Sequence, residues 1–533
     1  MENTTKYIFV TGGVASGLGK GIVAASLGRL LKSRGYRVSN QKFDPYINVD
    51  PSFMSPIQHG EVFVTDDGAE CDLDVGHYER FTDENLTVNS NITAGKIYLS
   101  VLEKERRGDY NGKTVQVVPH ITNHIKDLIV QVAKDGTRDI VITEIGGTVG
   151  DMESRPFLEA FRQMVFDVGR ENVLYVHVTL LPYLEKGGEI KTKPTQHSVK
   201  ELLSMGIQPD MIVCRTSRPI TAEIKDKIAL FCNVARDCVI ENMDADSIYE
   251  VPLLLEEQNI AQMALKRLAL PNHPANLDEW RALVGRQKAI SSKITISLVG
   301  KYTVLHDAYF STIEALKAAG FAADTDIDIN WIAAEALEKG DTTPLAGSHG
   351  ILIGGGFGVR GTQGKINAAK YARENKIPCL ATGMGAQAMA IDFARSVMGL
   401  SGANSTEFDE STPHPIVHNI YNKMRLGSCP CKITENTLVH AIYGSTQTTE
   451  RHRHRYEFNQ AYRDQFAKSG LIFSGTSLDG HLLEICELAT DIHPWFLGVI
   501  FNPQFKSRPN VPHPIFAAFV AACIKGDSGA SPE

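Results

Sequence analysis

The chain has no apolar run long enough to span a membrane. The longest stretches, such as Phe516 to Ile524, reach about half of the ~20 residues that a bilayer-crossing helix needs. It has no excess of positive charge: 54 Lys and Arg against 62 Asp and Glu leave a formal −8. That balance argues against nucleic acid as the main partner, although local basic patches remain open. The nine cysteines form neither an even framework nor a CxxC pair, as suits a reducing compartment. Cys429-Pro-Cys431 is too isolated to read as a metal site. The apolar run at Tyr7 leaves no room for a signal peptide ahead of it. Together these absences give the expectation of a soluble cytoplasmic protein. Its 533 residues allow two or three domains with substantial cores.

What is present begins at Tyr7-Ile-Phe-Val-Thr-Gly-Gly-Val-Ala-Ser-Gly-Leu-Gly-Lys-Gly-Ile22. An apolar run reads as a buried strand, four glycines allow a tight turn, and an apolar-periodic helix follows toward Gly35. A strand, a glycine loop and a lysine at a helix start form a cradle for polyphosphate. The match to G-x4-G-K-[ST] is imperfect. Val14 stands where the first glycine would, and Gly21 stands where a Mg²⁺-binding Ser or Thr would. Any metal must then be held by carboxylates later in the chain. A glycine-rich turn in an ordinary doubly wound sheet is the plainer alternative.

Lys42 ends a second strand, at the edge where open α/β sheets bind ligands; a surface lysine is the alternative. Asp66, Asp67, Glu70, Asp72 and Asp74 crowd among glycines, as a Mg²⁺-nucleotide site or a solvated acidic loop would. Glu144 closes the strand Ile-Val-Ile-Thr just before a glycine turn that ends at Asp151, a place for a second metal ligand. After a strand at Val173 to Leu180, Lys191 and Lys193 with Thr192 and Thr195 offer charge and hydroxyls to a second phosphate chain. Two phosphate-binding signatures on one sheet suggest two nucleotides.

The order and spacing of these stretches, with Lys104–Tyr110 (KERRGDY), Thr114–His120 (TVQVVPH), Gly188–Lys200 (GEIKTKPTQHSVK), Lys227–Asn233 and Asp246–Tyr249, resemble the synthetase domain of the CTP synthase family across the first half. The resemblance implies that ATP phosphorylates O4 of UTP and that ammonia then displaces phosphate at C4, giving CTP. It places ATP on Ser16, Gly17, Leu18, Gly19, Lys20, Gly21 and Ile22 with Asp74, and makes Lys20 and Lys42 the catalytic cations. It places Mg²⁺ on Asp74 and Glu144. UTP, and CTP as product and feedback inhibitor, fall to Ser16, Asp151, Glu153, Lys191, Lys193, Gln196 and Lys227. An ammonia passage would open near Pro56, His59 and Val62. The family also implies a homotetramer and, in some members, filaments.

Leu270-Pro-Asn-His-Pro-Ala-Asn276 breaks the helical pattern, and a helix over Leu277 to Ile290 leads to a new strand at Ile294. The expected architecture is α/β, with two doubly wound parallel-sheet domains. They are a P-loop-like synthetase domain at 1–270 and a glutamine amidotransferase-like domain at 294–525. A linker with a helix spans 271–293, and 526–533 is a small polar tail expected to be disordered.

The second half resembles a class I glutamine amidotransferase, as fused in the same family, but its nucleophile is missing. The family pattern G-x-C-x-G-x-Q reads here Ala381-Thr-Gly383-Met-Gly385-Ala-Gln387, and glycine cannot form a thioester. The His-Pro-Glu that supplies base and orienter reads Asn502-Pro-Gln504. Cys379 lies upstream within the strand and is expected to be a small buried residue. The framework of a glutamine pocket persists at Gly355, Gly356, Gln387, Glu407 and Arg453. The Arg/His run at Arg451–Glu457 sits where the family has the same run beside that pocket, so neither metal nor nucleic acid is needed to explain it. The charged insertion that helps relatives bind the activator GTP is absent before Met424-Arg-Leu-Gly427.

The leading expectation is therefore a CTP synthase-type enzyme that uses free ammonia or ammonia from an external donor. The alternative is a non-catalytic subunit that scaffolds or regulates an active partner. A different P-loop ligase or partitioning ATPase explains only the first loop.

Overall fold

Apolar runs rich in β-branched and aromatic residues, buried on both faces, suit a parallel sheet flanked by helices. The first sheet is built that way from β1 (Lys6–Gly12), β2 (Val38–Asp44), β3 (Asn91–Thr93), β4 (Ile140–Ile145), β5 (Val173–Leu180), β6 (Met211–Thr216) and β7 (Val239–Met243). Their spatial order is β7-β6-β5-β1-β4-β2-β3, and every pairing is parallel. The computed structural model describes residues 5–134 and 136–527. Phe9 stacks on Phe161 at 4.3 Å between ring centroids, and Phe43 lies against Phe157 and Phe161, anchoring one face of the sheet. The glycine loop after β1 feeds α1 (Lys20–Lys32), and α2 (Leu73–Thr82) packs beside α1 with Asp72 as its N-cap.

The second sheet contains β8 (Ser292–Gly300), β9 (Thr325–Ala333), β10 (Gly350–Ile353), β11 (Cys379–Thr382), β12 (Arg425–Ile433), β13 (Gln447–His454), β14 (Leu471–Ser477), β15 (Leu483–Leu488) and β16 (Phe496–Val499). The order is β9-β8-β10-β11-β16-β15-β14-β12-β13. From β9 to β16 the pairs are parallel, as expected. Beyond β16 the sheet continues through antiparallel strands, so it is mixed rather than wholly parallel. Short connections such as the one from β14 to β15 permit antiparallel return, whereas parallel strands require crossovers.

The chain divides into two compact units that do not follow sequence order. One comprises Met1–Phe53 and Cys71–Val284; the other comprises Met54–Glu70 and Gly285–Glu533. The helix expected near Leu277 is α3 (Asp278–Ala289), and its first half belongs to the first unit. The final helix α4 (Pro514–Asp527) carries the chain through Gly526, where the sequence predicts the start of a disordered tail; 528–533 lie outside the described residues. No helix among the described residues is long and apolar enough to cross a membrane.

Trp280 fixes the start of α3 within the first unit. Its indole donates to the Tyr249 carbonyl at 2.7 Å, Phe81 and Tyr249 flank its ring, and the Arg29 guanidinium lies 5.3 Å above it. Trp280→Ala removes these contacts at once. The expected cost is about 3–5 kcal/mol of first-unit stability, the usual range for a large buried aromatic. Urea unfolding followed by circular dichroism reads it, and an unchanged midpoint would contradict this anchoring role.

Candidate functional site

In the first unit, α1 begins at Lys20, whose ammonium donates to the Gly147 carbonyl at 2.6 Å. Burial lowers the Lys20 pKa, against the pull of Glu144. Lys42 projects from β2 into four carboxylates. It contacts Asp74 most closely, with Glu144 at 3.1 Å, Asp44 at 3.9 Å and Asp72 at 4.0 Å. Burial alone would strip the Lys42 proton, but Asp74, Glu144, Asp72 and Asp44 outweigh it and hold the pKa well above its ordinary value. The carboxylates remain in excess: burial raises Glu144 to about 7 and Asp44 to about 6. Asp74 moves the other way, because Lys42, His77 and Lys20 overcome the burial that opposes its charge.

This cluster accounts for Gly21. A Cβ at that position would overlap the Asp74 carboxylate, so the space that a P-loop gives to a Ser or Thr side chain is filled here by Asp74. Val14, where the standard loop has its first glycine, takes the left-handed conformation that glycine would favour, at φ 83°. For a β-branched residue that backbone costs ~1–3 kcal/mol, and such strain concentrates at ligand-binding loops. Asp74 and Glu144, hard oxygen donors in a cluster with surplus negative charge, are of the kind that would hold a Mg²⁺. Among the described residues no group of three or more His, Cys, Asp or Glu forms a self-sufficient metal cage.

The acidic stretch is only partly in this cluster. Asp72 and Asp74 face Lys42, whereas Asp66 pairs with Arg451 and Glu70 with Arg453, both in the second unit with Met54–Glu70. Thr65 donates to Asp67 at 2.5 Å in a local turn. The five acids therefore do not form one metal site, because three are used elsewhere.

Of the residues assigned to UTP, Lys193 lines a cavity of about 570 Å³ with Val14, Thr148, Val149, His197, Ser198 and Glu201. Lys191 pairs with Glu189, Gln196 donates to Thr192, and Asp151 accepts the Thr148 N–H at 2.8 Å. Glu153 and Lys227 are exposed, the latter on the helix Ala222–Cys232. Ser16 and Gly17 are exposed on the loop, while Leu18, Gly19 and Ile22 line a second cavity of about 90 Å³ with Arg215, Asn242 and Asp244. Sequence reasoning misses those three partners, which come from the ends of β6 and β7. It also misses Tyr78, which donates to Glu144 from one turn beyond Asp74 on α2. The one sequence signal for it is that i, i+4 spacing.

In the second unit Gly383 occupies the sharp turn between β11 and the helix Met384–Ser396, at φ 54° and ψ −120°. A Cβ there would meet Gly355 Cα at 3.7 Å and the Ile500 carbonyl at 4.0 Å, ordinary contacts that leave room for a side chain. Facing it, the glycine turn 354–358 is held from behind. Lys365 donates to the carbonyls of Gly354 and Gly355 at 2.5 and 2.6 Å, Lys301 donates to those of Phe357 and Gly358, and Glu407 accepts the Gly358 N–H at 2.6 Å. Burial pulls the Lys365 pKa well below its ordinary value and Lys301 to about 8. Asn502 Oδ1, Gln504 Oε1 and Gln387 Oε1 are buried without a hydrogen-bond partner among the described residues. Cys379 is fully buried, and burial raises its thiol pKa. Arg453 lies 5.1 Å from the Phe357 ring with its charge taken up by Glu70. Pro56, His59 and Val62 sit on Met54–Glu70, also in this unit.

Two family models match the chain: "CTP synthase N-terminus" over residues 6–270 and "Glutamine amidotransferase class-I" over 304–522. The molecule is thus a nucleotide-synthase module fused to a class I amidotransferase module. The CTP synthase of Ruminiclostridium cellulolyticum is 59% identical over 98% of this chain and 99% of its own length. That of Moorella thermoacetica is 58% identical over 98% and 99%. Among solved structures, the glutaminase domain of Trypanosoma brucei CTPS with bound acivicin is 35% identical, covering 44% of this chain and 94% of that one at a TM-score of 0.41. The chain belongs to the CTP synthase family.

One buried group under the glycine loop gives a measurable pH effect. His177 bridges Thr11 and Ser198, each at 2.8 Å, and burial drops its pKa to about 3. Below an unfolded value of about 6.5, the unfolded chain binds a proton that the native state refuses. Stability therefore falls as pH drops from about 6 to about 4, by about 1.4 kcal/mol per pH unit from this residue. Asp44 and Glu144, raised by burial, act with the opposite sign over part of that range. The comparison is therefore between parent and His177→Gln. The variant's slope in urea-unfolding stability is expected to be shallower by that amount, and parallel slopes would refute the assignment.

Proposed function

We propose that the chain makes CTP from UTP, ATP and ammonia, and that its second unit does not hydrolyse glutamine. The observation that carries this reading is the contrast between the two sites. The first unit gathers Lys20, Lys42, Asp74 and Glu144 in one buried cluster, while the elbow of the second presents Gly383.

Phosphoryl transfer from ATP to O4 of UTP, with loss of the N3 proton, gives ADP and a 4-phosphorylated ring. Ammonia then forms the C4–N bond, phosphate leaves with the C–O electron pair, and the added nitrogen loses a proton. Asp74 and Glu144 would hold Mg²⁺, whose positive charge would offset that of the phosphates. Lys20 and Lys42 supply fixed positive charge to a loose transition state, where preorganised electrostatics dominate. Lys191, Lys193, Gln196 and Lys227 grip the UTP triphosphate, Ser16 contributes from the loop, and Asp151 and Glu153 meet the nucleoside. CTP, as product and feedback inhibitor, shares the triphosphate grip.

Hydrolysis of glutamine needs a thiolate, a base and an orienter. Gly383, Asn502 and Gln504 provide none of them, and loss of a whole hydrolase triad costs roughly a millionfold in turnover. The pocket framed by Gly355, Gly356, Gln387 and Glu407 keeps its shape, but Arg453 is already paired. Ammonia then comes from solution or an external donor. Phe166 and Leu230, each 78% exposed, offer apolar surface for the homotetramer typical of the family, and filaments are an extension of such assembly.

CTP formation from UTP, ATP and Mg²⁺ is expected with ammonium chloride and not with glutamine. The triple variant Gly383→Cys, Asn502→His, Gln504→Glu is expected to gain glutamine-dependent ammonia release. Parent turnover with glutamine would refute the silent-pocket reading, and absence of turnover with ammonium would refute the synthase reading.

Tyr78→Phe leaves Glu144 without its phenolic donor. The expected consequence is a roughly 10–100-fold weaker metal affinity, typical of losing a partner that orients a ligand. Mn²⁺ binding followed by electron paramagnetic resonance reads this directly, and unaltered affinity would exclude the positioning role.

A further inference from the structure

A further cavity of the first unit, of about 240 Å³, takes no part in the nucleotide chemistry described above. It opens near the start of β2 at Ser39, whereas Lys42 and Asp44 stand at the other end of that strand. Its lining is polar. Asn85, Thr87, Asn89 and Ser90 come from the stretch between α2 and β3, and Arg138 comes from just ahead of β4. Ser39 and Ser90 are buried, at 4% and 2% exposed, and bring hydroxyls to it; Asn89 and Arg138 are half-buried.

The charge around this cavity is uneven. Lys32 pairs with Glu84 at 2.8 Å, and Arg138 reaches the same carboxylate only at 3.6 Å, too far for a hydrogen bond. The neighbouring Asp139 is taken up by Arg37 at 2.6 Å. Two cations thus share Glu84, and the planar fork of Arg138 keeps donors to offer.

That lining selects a ligand chemistry. A guanidinium fork matches one carboxylate, and hydroxyls both donate to and accept from Ser, Thr and Asn side chains. An apolar guest would strip water from these groups and return no hydrogen bond. The volume equals about eight waters at ~30 Å³ each, room for a hydroxy acid of about four to six carbons.

We propose that this cavity binds a small hydroxycarboxylate, with Arg138 holding the carboxylate and Ser39, Asn89 and Ser90 meeting the hydroxyls. The cavity wall continues directly into β3. There Asn91 donates to Asp44 at 2.8 Å and accepts the Asp72 N–H at 2.8 Å, and Gln41 Nε2 donates to the Asn89 carbonyl at 3.0 Å. A ligand held by Asn89 and Ser90 therefore steadies the stretch that supports two of the carboxylates around Lys42.

The test uses the full chain without nucleotide and D-gluconate as the probe. Sorbitol supplies the hydroxyls without the charge, and acetate supplies the carboxylate without the hydroxyls. Titration calorimetry is expected to show gluconate binding at least about tenfold more tightly than either. Arg138→Gln, at a half-buried position, is expected to weaken gluconate about tenfold, as loss of a charge-assisted hydrogen bond does. Ser39→Ala is expected to weaken it by a smaller factor, with circular dichroism confirming that both variants fold. Amide exchange of residues 85–91 is expected to slow with gluconate in the parent and not in Arg138→Gln. Gluconate binding no tighter than sorbitol or acetate would overturn the inference, and so would equal gluconate affinity in the parent and Arg138→Gln.

Discussion

One buried ammonium surrounded by more negative charge than it can neutralise sets the terms for the first unit. Isolated charges are costly to bury, and Lys42, even with Lys20 nearby, does not balance four carboxylates. The cluster responds by letting Glu144 and Asp44 hold protons more tightly while Asp74 stays ionised. The local architecture follows from that arrangement. Residue 21 has no side chain because Asp74 occupies the space, α2 starts where Asp72 caps it, and Tyr78 is placed to donate to Glu144. A divalent cation and a polyphosphate together suit such a site, because each brings the charge that the other lacks.

The second unit presents the reverse condition. Its candidate pocket is short of partners rather than crowded with charge: Asn502, Gln504 and Gln387 each bury an oxygen that no donor among the described residues meets. Its two turns are nevertheless held in place. The turn at Gly383 is set by β11 feeding a helix and by the Gly383 N–H donating to the Val499 carbonyl. The facing turn is held by Lys365, Lys301 and Glu407. None of these supports passes through a side chain at 383, 502 or 504.

Much of this is legible in the sequence where the signal is local. The apolar runs mark β1, β4 and β5, the glycine loop marks the start of α1, and the paired prolines after Leu270 mark the approach to α3. Lys42 and Glu144 fall at strand ends in the sequence pattern, and the pairing of those strands makes them one site. What cannot be read is non-local. Asp66 and Glu70 look like members of a metal cluster, but their partners Arg451 and Arg453 lie 385 and 383 positions away. No local pattern announces such a pair. The antiparallel half of the second sheet is hidden for a different reason: a strand buried along its whole length, such as β15, reads the same in either direction of pairing. The left-handed Val14 contradicts residue preference outright, and only loop geometry reveals it.

The excursion of Met54–Glu70 connects these observations. Ordering a loop costs conformational entropy, so a segment that belongs to one unit while its flanks belong to the other needs compensating contacts. Here they are ion pairs and an aromatic contact around Arg451, a fully buried charge whose pairing must be complete to be tolerable. Such an arrangement favours one geometry over many, because a buried arginine without Asp66 and the Val64 carbonyl would be strongly unfavourable.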